Sequence, residues 1–90
     1  MIRREVLIIN KLGLHARAAA KLIALTSRHS ARISLAQPGQ KAVDGKSIMA
    51  ILMLAAGKGA TLTLECEGRD EQELADAVCA LIANYFEEGE

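Results

Sequence analysis

The alternation of apolar and polar residues along the chain predicts four β-strands. Residues 2–9 are largely β-branched and apolar, and residues 31–36 and 60–66 alternate between apolar and polar side chains. The sequence QPGQ at 37–40 places Pro and Gly at the centre of a type II turn, so a short strand through Val43 is expected to complete a hairpin. Because one side of each alternating strand is apolar, we expect an antiparallel sheet with one covered face.

Three helices are predicted from apolar residues that recur three and four positions apart. The first runs from residue 16 to about residue 28 and has one apolar face. The second spans the sequence IMAILML at 48–54, with Ser47 as a natural N-cap. Gly57 and Gly59 are expected to end this second helix because glycine favours helix termination.

The third helix is expected to begin at Asp70, which together with Glu73 has the spacing of a capping box. Its apolar stripe continues to Tyr85, and the tail at 87–90 is expected to fray. The resulting order, β-α-β-β-α-β-α, predicts a fold of the α/β (α+β) class in one domain over residues 1–90. The simplest packing is an open-faced β-sandwich, in which three helices cover one face of a four-stranded antiparallel sheet.

Composition and charge exclude several classes of function. Eleven basic residues balance eleven acidic ones, and this neutrality argues against a nucleic-acid partner. Cys66 and Cys79 lack a CxxC spacing or a nearby histidine, so free thiols are expected rather than a metal site. The apolar run near the start is too short for a signal peptide or a membrane span. We therefore expect a cytoplasmic protein without metal, cofactor or membrane insertion.

Candidate chemistry is concentrated at the start of the first helix, in the sequence GLHAR. His15 is expected at or next to the N-cap, where the backbone N–H groups of Ala16 and Arg17 point outward and favour an anion such as phosphate. The guanidinium of Arg17 adds donors suited to phosphate oxygens. The nearest acidic residues in sequence are Glu5 and Asp44, so no carboxylate is expected beside the imidazole. These features favour a neutral, nucleophilic imidazole that accepts a phosphoryl group, and the alternative is a histidine that only caps or packs.

The second helix offers a candidate protein contact surface. It is apolar all round, although a short helix on a small domain buries one face, and exposed methionines are typical of contact surfaces. The alternative is a helix that is wedged deeply enough to be buried. Phosphorylation of Ser47 is also conceivable, against the simpler role of a cap. We define the predicted contact patch as Ile48, Met49, Leu52 and Met53 together with Ala20 of the first helix.

The motifs GLHAR at 13–17 and GKSIMAILML at 45–54 identify a resemblance that covers essentially the whole chain. The chain resembles the HPr family, the histidine phosphocarriers of the bacterial phosphoenolpyruvate-dependent phosphotransferase system. The resemblance implies that Nδ1 of His15 carries a phosphoryl group received from Enzyme I and that Arg17 stabilises it. It further implies an EIIA-type acceptor. Ser47 matches a serine that a kinase modifies in some members.

One departure from the family pattern, at Ala18, is expected to have a modest effect on the rigidity of the site, and two other details concern the branch of the family. Members usually carry proline where this chain has Ala18, and alanine keeps the helix while losing a pre-organised φ angle. Ala24 and Leu25 stand where sugar-transport members have a lysine nearby. The opening INKLGLHAR looks closer to NPr, the nitrogen-related branch, and this implies a nitrogen-type Enzyme I.

Alternative functions remain open at this point. The chain is expected to act as a monomeric, stoichiometric carrier rather than as an enzyme, in the nitrogen branch or alternatively in sugar transport. It can also be an interaction module whose phosphorylation state controls partner binding. A hydrolase would need a base and an orienting carboxylate around His15, and the sequence offers no local candidate, although a distant residue could approach in the fold. An RNA-binding sheet would need exposed aromatic residues on its strands, and the predicted strands have none.

Overall fold

The computed structural model describes residues 1–89 and contains the predicted elements in the predicted order. A short turn, here called the C-terminal turn, follows the last helix at Tyr85–Glu87. The elements are β1 (Ile2–Leu7), α1 (Ala16–Thr26), β2 (Arg32–Ala36), β3 (Val43–Asp44), α2 (Ile48–Leu54), β4 (Thr61–Glu67) and α3 (Glu71–Ala83).

The four strands form one antiparallel sheet in the order β1-β4-β2-β3. Alternate residues of β4 are buried, namely Leu62, Leu64 and Cys66, as the sequence pattern predicts. The helix α3 packs on β1 and β4, while α1 packs against α2 and α3. The opposite side of the sheet carries residues such as Arg3 and Glu5, which are exposed. The open-faced α+β sandwich is therefore confirmed.

Several expected boundaries are wrong by two or more residues. The strand β1 ends at Leu7 rather than at residue 9, and α1 ends at Thr26. The helix α2 spans residues 48–54 as expected, but Ala55 rather than a glycine ends it, because Ala55 adopts the left-handed conformation with φ 53°. A left-handed residue ends the helical hydrogen-bond pattern, and alanine takes this role at a cost that glycine would avoid.

The predicted capping box at the start of α3 does not form, because Asp70 binds groups outside its own helix. Asp70 is the N-cap residue, but its side chain makes no capping hydrogen bond. Its carboxylate instead accepts hydrogen bonds from the backbone N–H groups of Ala31, at 2.8 Å, and Ser30, at 3.1 Å. Asp70 thus ties the start of α3 to the residues that lead into β2, a contact that local spacing does not reveal.

Candidate functional site

His15 is the N-cap residue of α1, as the sequence predicts. Its backbone is extended, with φ −77° and ψ 177°, and its carbonyl accepts a hydrogen bond from Ala19 N at 2.9 Å. The imidazole makes no capping hydrogen bond and its side chain is 26% exposed. Within residues 1–89 the N–H groups of Ala16 and Arg17 donate no hydrogen bond, so they are available to an anion.

The loop that presents His15 is supported from two sides. Leu14 N donates to the carbonyl of Ala56, at 2.8 Å, so the segment that follows α2 braces the loop. The buried side chain of Asn10 donates from Nδ2 to the carbonyl of Gly13, also at 2.8 Å. Gly13 itself has φ +64°, and a Cβ placed there would lie 2.5 Å from the Ala56 oxygen. The imidazole is therefore mounted on a rigid turn rather than on a free loop.

The Gly13→Ala variant is expected to lower the free energy of unfolding by about 2–4 kcal/mol, since it combines left-handed strain with an overlap against backbone atoms. Gly39→Ala is the matched control, because Gly39 has φ +76° but nothing within 4 Å of an added Cβ. We expect the free energy of unfolding of the control to fall only by the cost of left-handed backbone strain, about 1–2 kcal/mol. Equal losses in urea denaturation would contradict the close approach of Gly13 to the segment after α2.

The structure places a carboxylate beside His15, contrary to the expectation from sequence. Oε2 of Glu88 lies 2.5 Å from Nε2 of His15, and Oε1 of Glu88 accepts a hydrogen bond from Asn10 Nδ2 at 3.1 Å. The Glu88 side chain is only 12% exposed. The expected fraying of the tail is thus wrong for Glu88, which packs against the site. Sequence reasoning missed this residue because 73 positions separate it from His15.

The C-terminal turn holds Glu88 in this position. Phe86 is fully buried in the core, and its carbonyl accepts a hydrogen bond from Nζ of Lys21 at 2.8 Å. Tyr85, Phe86 and Glu87 all have positive φ, between 52° and 65°. Left-handed backbone is unfavourable for residues with a side chain, so the turn persists because burial and hydrogen bonding compensate for it.

The charge of Glu88 follows from its surroundings. Burial disfavours the ionised carboxylate, but the hydrogen bonds from Asn10 and His15 and the positive charge of Lys21 outweigh burial. The pKa of Glu88 is consequently lowered from its ordinary value. Near neutral pH the group is a carboxylate that accepts hydrogen bonds but donates none.

Arg17 is exposed and lines an open groove of about 420 Å³ next to His15. Three cationic and two anionic side chains line this groove, so the formal charge of its lining is positive. The lining residues are Lys11, Leu12, Arg17, Lys21, Glu87 and Glu88.

Ser47 caps α2 as predicted, because its Oγ accepts a hydrogen bond from Ala50 N at 3.3 Å. The contact patch is largely open: Met53 is 78% exposed and Met49 is 65% exposed. Ile48 and Ala20 are also exposed, whereas Leu52 is only partly so. The deeply buried alternative for α2 is therefore wrong for most of this surface.

Other kinds of site find little support in residues 1–89. No group of three metal-ligating side chains is found there. Cys66 is buried and Cys79 half-buried, and both are free thiols. None of the helices in this part of the chain has the length and apolar character that crossing a bilayer requires.

Comparison with known proteins identifies the family. The family model described as "PTS HPr component phosphorylation site" matches residues 2–84. The chain is 56% identical to the phosphocarrier protein HPr of Cupriavidus necator, with all of both chains covered. It is 46% identical to the phosphocarrier protein NPr of Shewanella violacea, over 97% of this chain and 94% of that one.

A solved structure supports the same assignment. The crystal structure of HPr-C-His from Thermoanaerobacter tengcongensis superimposes with a TM-score of 0.93 at 39% identity, and the alignment covers 98% of each chain. Similarity of fold and sequence thus extends over the loop of His15, both motifs and the helical layer. The chain belongs to the HPr family of phosphocarrier proteins of the phosphotransferase system.

Proposed function

We propose that this chain is a stoichiometric carrier that accepts a phosphoryl group on Nδ1 of His15 from Enzyme I and passes it to an EIIA-type acceptor. Phosphoenolpyruvate is the ultimate donor. The observation that carries the proposal is the state of the His15 ring. Its Nε2 is engaged by Glu88, while Nδ1 has no hydrogen bond within residues 1–89, at the start of a helix beside cationic side chains.

The proposed chemistry uses the free lone pair of Nδ1. This lone pair forms a bond to phosphorus while the bond between phosphorus and the donor breaks. The free N–H groups of Ala16 and Arg17 and the guanidinium of Arg17 stabilise the charged oxygens of the transferred group. Onward transfer reverses these events with the acceptor as the nucleophile. The unphosphorylated carrier is regenerated only by this second transfer. Each chain therefore carries one phosphoryl group per cycle, as a stoichiometric carrier does.

The test is phosphorylation of the full chain with Enzyme I and phosphoenolpyruvate. We expect one phosphoryl group per chain, labile in acid and stable in base, which mass spectrometry maps to His15. Transfer to a cognate EIIA-type protein should then remove the group. A chain that takes no label, or takes an acid-stable label elsewhere, would contradict the proposal.

We further propose that the chain acts in the nitrogen-related branch, with sugar transport as the alternative. The resemblance of INKLGLHAR to NPr supports the first, while relatives named HPr and NPr both occur among the similar proteins. Comparing the initial rate of phosphorylation by nitrogen-type and sugar-type Enzyme I tests the branch. Faster transfer from the sugar-type enzyme would overturn the nitrogen assignment.

We propose that the contact patch receives both partners, since α2 packs against α1, whose first residues form the site. The Met53→Lys variant is expected to raise the KM for Enzyme I about tenfold, because a lysine charge placed in an apolar interface would have to lose its water. The free energy of unfolding should stay nearly unchanged because Met53 is exposed.

Leu7→Lys is the matched control for the patch. Leu7 is also exposed, at 52%, but it lies on the open face of the sheet, at the end of a strand in which exposed and half-buried residues alternate. We expect this control to be phosphorylated with an unchanged KM. Equal KM values for the two variants would remove α2 from the proposed docking surface.

Ser47 is proposed as a second, regulatory phosphorylation site, on the strength of its match to the serine modified in some family members. Its hydroxyl already acts as the cap acceptor of α2. A phosphate there would face Enzyme I beside the contact patch. Incubation with a family serine kinase and ATP, with Ser47→Ala as control, tests this role, and absence of a Ser47-dependent label contradicts it.

A further inference from the structure

The contact between Glu88 and His15 involves the ring nitrogen that does not carry the phosphoryl group in the proposed function. We propose that Glu88 is a positioning residue that holds the imidazole proton on Nε2 and thereby leaves the lone pair on Nδ1. The inference rests on the proposed function, because it explains why one of two similar nitrogens is the nucleophile.

The geometry determines which nitrogen is protonated. Nε2 lies 2.5 Å from Oε2 of Glu88, a short hydrogen-bond distance. An ionised carboxylate is an acceptor only, so the hydrogen atom in this contact belongs to the ring. A neutral imidazole has one N–H, and therefore Nδ1 keeps its lone pair.

The carboxylate is held in place from both sides. Its second oxygen, Oε1, accepts from Asn10 Nδ2, and Asn10 is itself fully buried. The main chain two residues earlier is fixed by burial of Phe86 and by the hydrogen bond from Lys21. Glu88 thus presents one oxygen to the ring in a defined orientation, and this is the requirement for selecting a tautomer.

The same contact has a consequence after phosphorylation. When Nδ1 has bonded to phosphorus, both ring nitrogens are substituted and a ring that retains Nε2–H carries a positive charge. The carboxylate of Glu88 offsets this charge. In the onward step the P–N bond breaks, its electron pair returns to Nδ1, and the ring leaves as neutral imidazole rather than as an anion. No proton has to enter or leave the site in either step.

The tautomer is tested first, on the unphosphorylated protein, by ¹⁵N NMR of the imidazole ring. We expect the Nε2–H form to predominate in wild type and both forms to be populated in Glu88→Ala. Glu73→Gln is the matched control, because Glu73 is an exposed carboxylate on α3 that lies outside the groove beside His15. An unchanged ring spectrum in Glu88→Ala would overturn the inference.

The second measurement is the rate of transfer from phosphorylated His15 to the acceptor as a function of pH. In Glu88→Ala and Glu88→Gln we expect this rate at neutral pH to fall by about tenfold or more, the size of effect expected on losing a hydrogen bond to a charged group, and the decline with rising pH to begin at lower pH. Glu73→Gln should follow the wild-type profile. Identical profiles for all four proteins would overturn the role of Glu88 in the onward step.

Failure of this inference is distinguishable from failure of the proposed function. If wild type accepts no phosphoryl group, the carrier function is wrong, whatever the ring spectrum shows. If wild type is phosphorylated and transfers normally, but Glu88→Ala matches it in ring spectrum and rate, the carrier function stands and the positioning role is wrong. Unfolding curves of each variant verify that the comparison is made between folded proteins.

Discussion

The His15→Ala variant is expected to lose acid-labile phosphorylation by Enzyme I completely while it remains folded. Alanine has no nucleophile, and the other donors at the start of α1 bind oxygens but form no bond to phosphorus. The fold should survive because the imidazole makes no capping hydrogen bond and is a quarter exposed. Labelling with phosphoenolpyruvate, followed by acid treatment, measures the loss.

His29→Ala is the matched control for this variant. His29 is the second of the two histidines in the chain and lies just beyond the carboxyl end of α1, where Nδ1 is 3.1 Å from the carbonyl oxygen of Leu25. It should be labelled at the wild-type rate. Equal labelling of wild type and His15→Ala would refute the carrier function at this residue, and loss of labelling in His29→Ala would move the site to the other end of the helix.

The Phe86→Ala variant is expected to lose about 3–5 kcal/mol of the free energy of unfolding, because Phe86 is fully buried and truncation leaves a cavity in the core. A second effect should accompany the first. Without its anchor, the strained C-terminal turn relaxes and Glu88 leaves His15. We therefore expect Phe86→Ala to show the same mixed imidazole tautomers as Glu88→Ala.

Tyr85→Ala separates packing from backbone effects in this turn. Tyr85 is the adjacent aromatic residue, with the same left-handed conformation at φ 56°, but it is 37% exposed. Its truncation should cost less than about 1 kcal/mol, as is usual for a surface position. Urea denaturation compares the two variants, and equal losses would contradict the anchoring role of Phe86.

Much of the fold was predictable because it follows from local patterns. The alternation in β4 matches its buried residues, and the hydroxyl of Ser47 caps α2 as its position suggests. The turn at QPGQ also forms as expected, with Gln40 N bonded to the carbonyl of Gln37 and Gly39 left-handed. Each of these features depends on residues within a few positions of one another, so sequence spacing is sufficient to infer it.

The predictions for the ends of the helices were wrong where contacts with a distant segment of the chain determine the local structure. Asp70 was expected to cap its own helix, yet it binds backbone groups some forty positions earlier. A glycine was expected to end α2, but Ala55 takes the left-handed conformation there, and the carbonyl of the following Ala56 accepts a hydrogen bond from Leu14 N. Local propensity differs by about 1 kcal/mol or less between most such alternatives, and tertiary contacts are strong enough to override it.

For the site, local sequence was sufficient to identify the candidate nucleophile, its place at the start of α1 and the neighbouring cation Arg17. These depend on the consecutive residues of GLHAR. The sequence did not reveal the carboxylate, because Glu88 reaches His15 only through burial of Phe86 and a left-handed turn that has no local sequence signal. Tertiary packing alone thus decided which ring nitrogen is engaged and which is left free, since a contact across 73 residues exists only when the chain has folded.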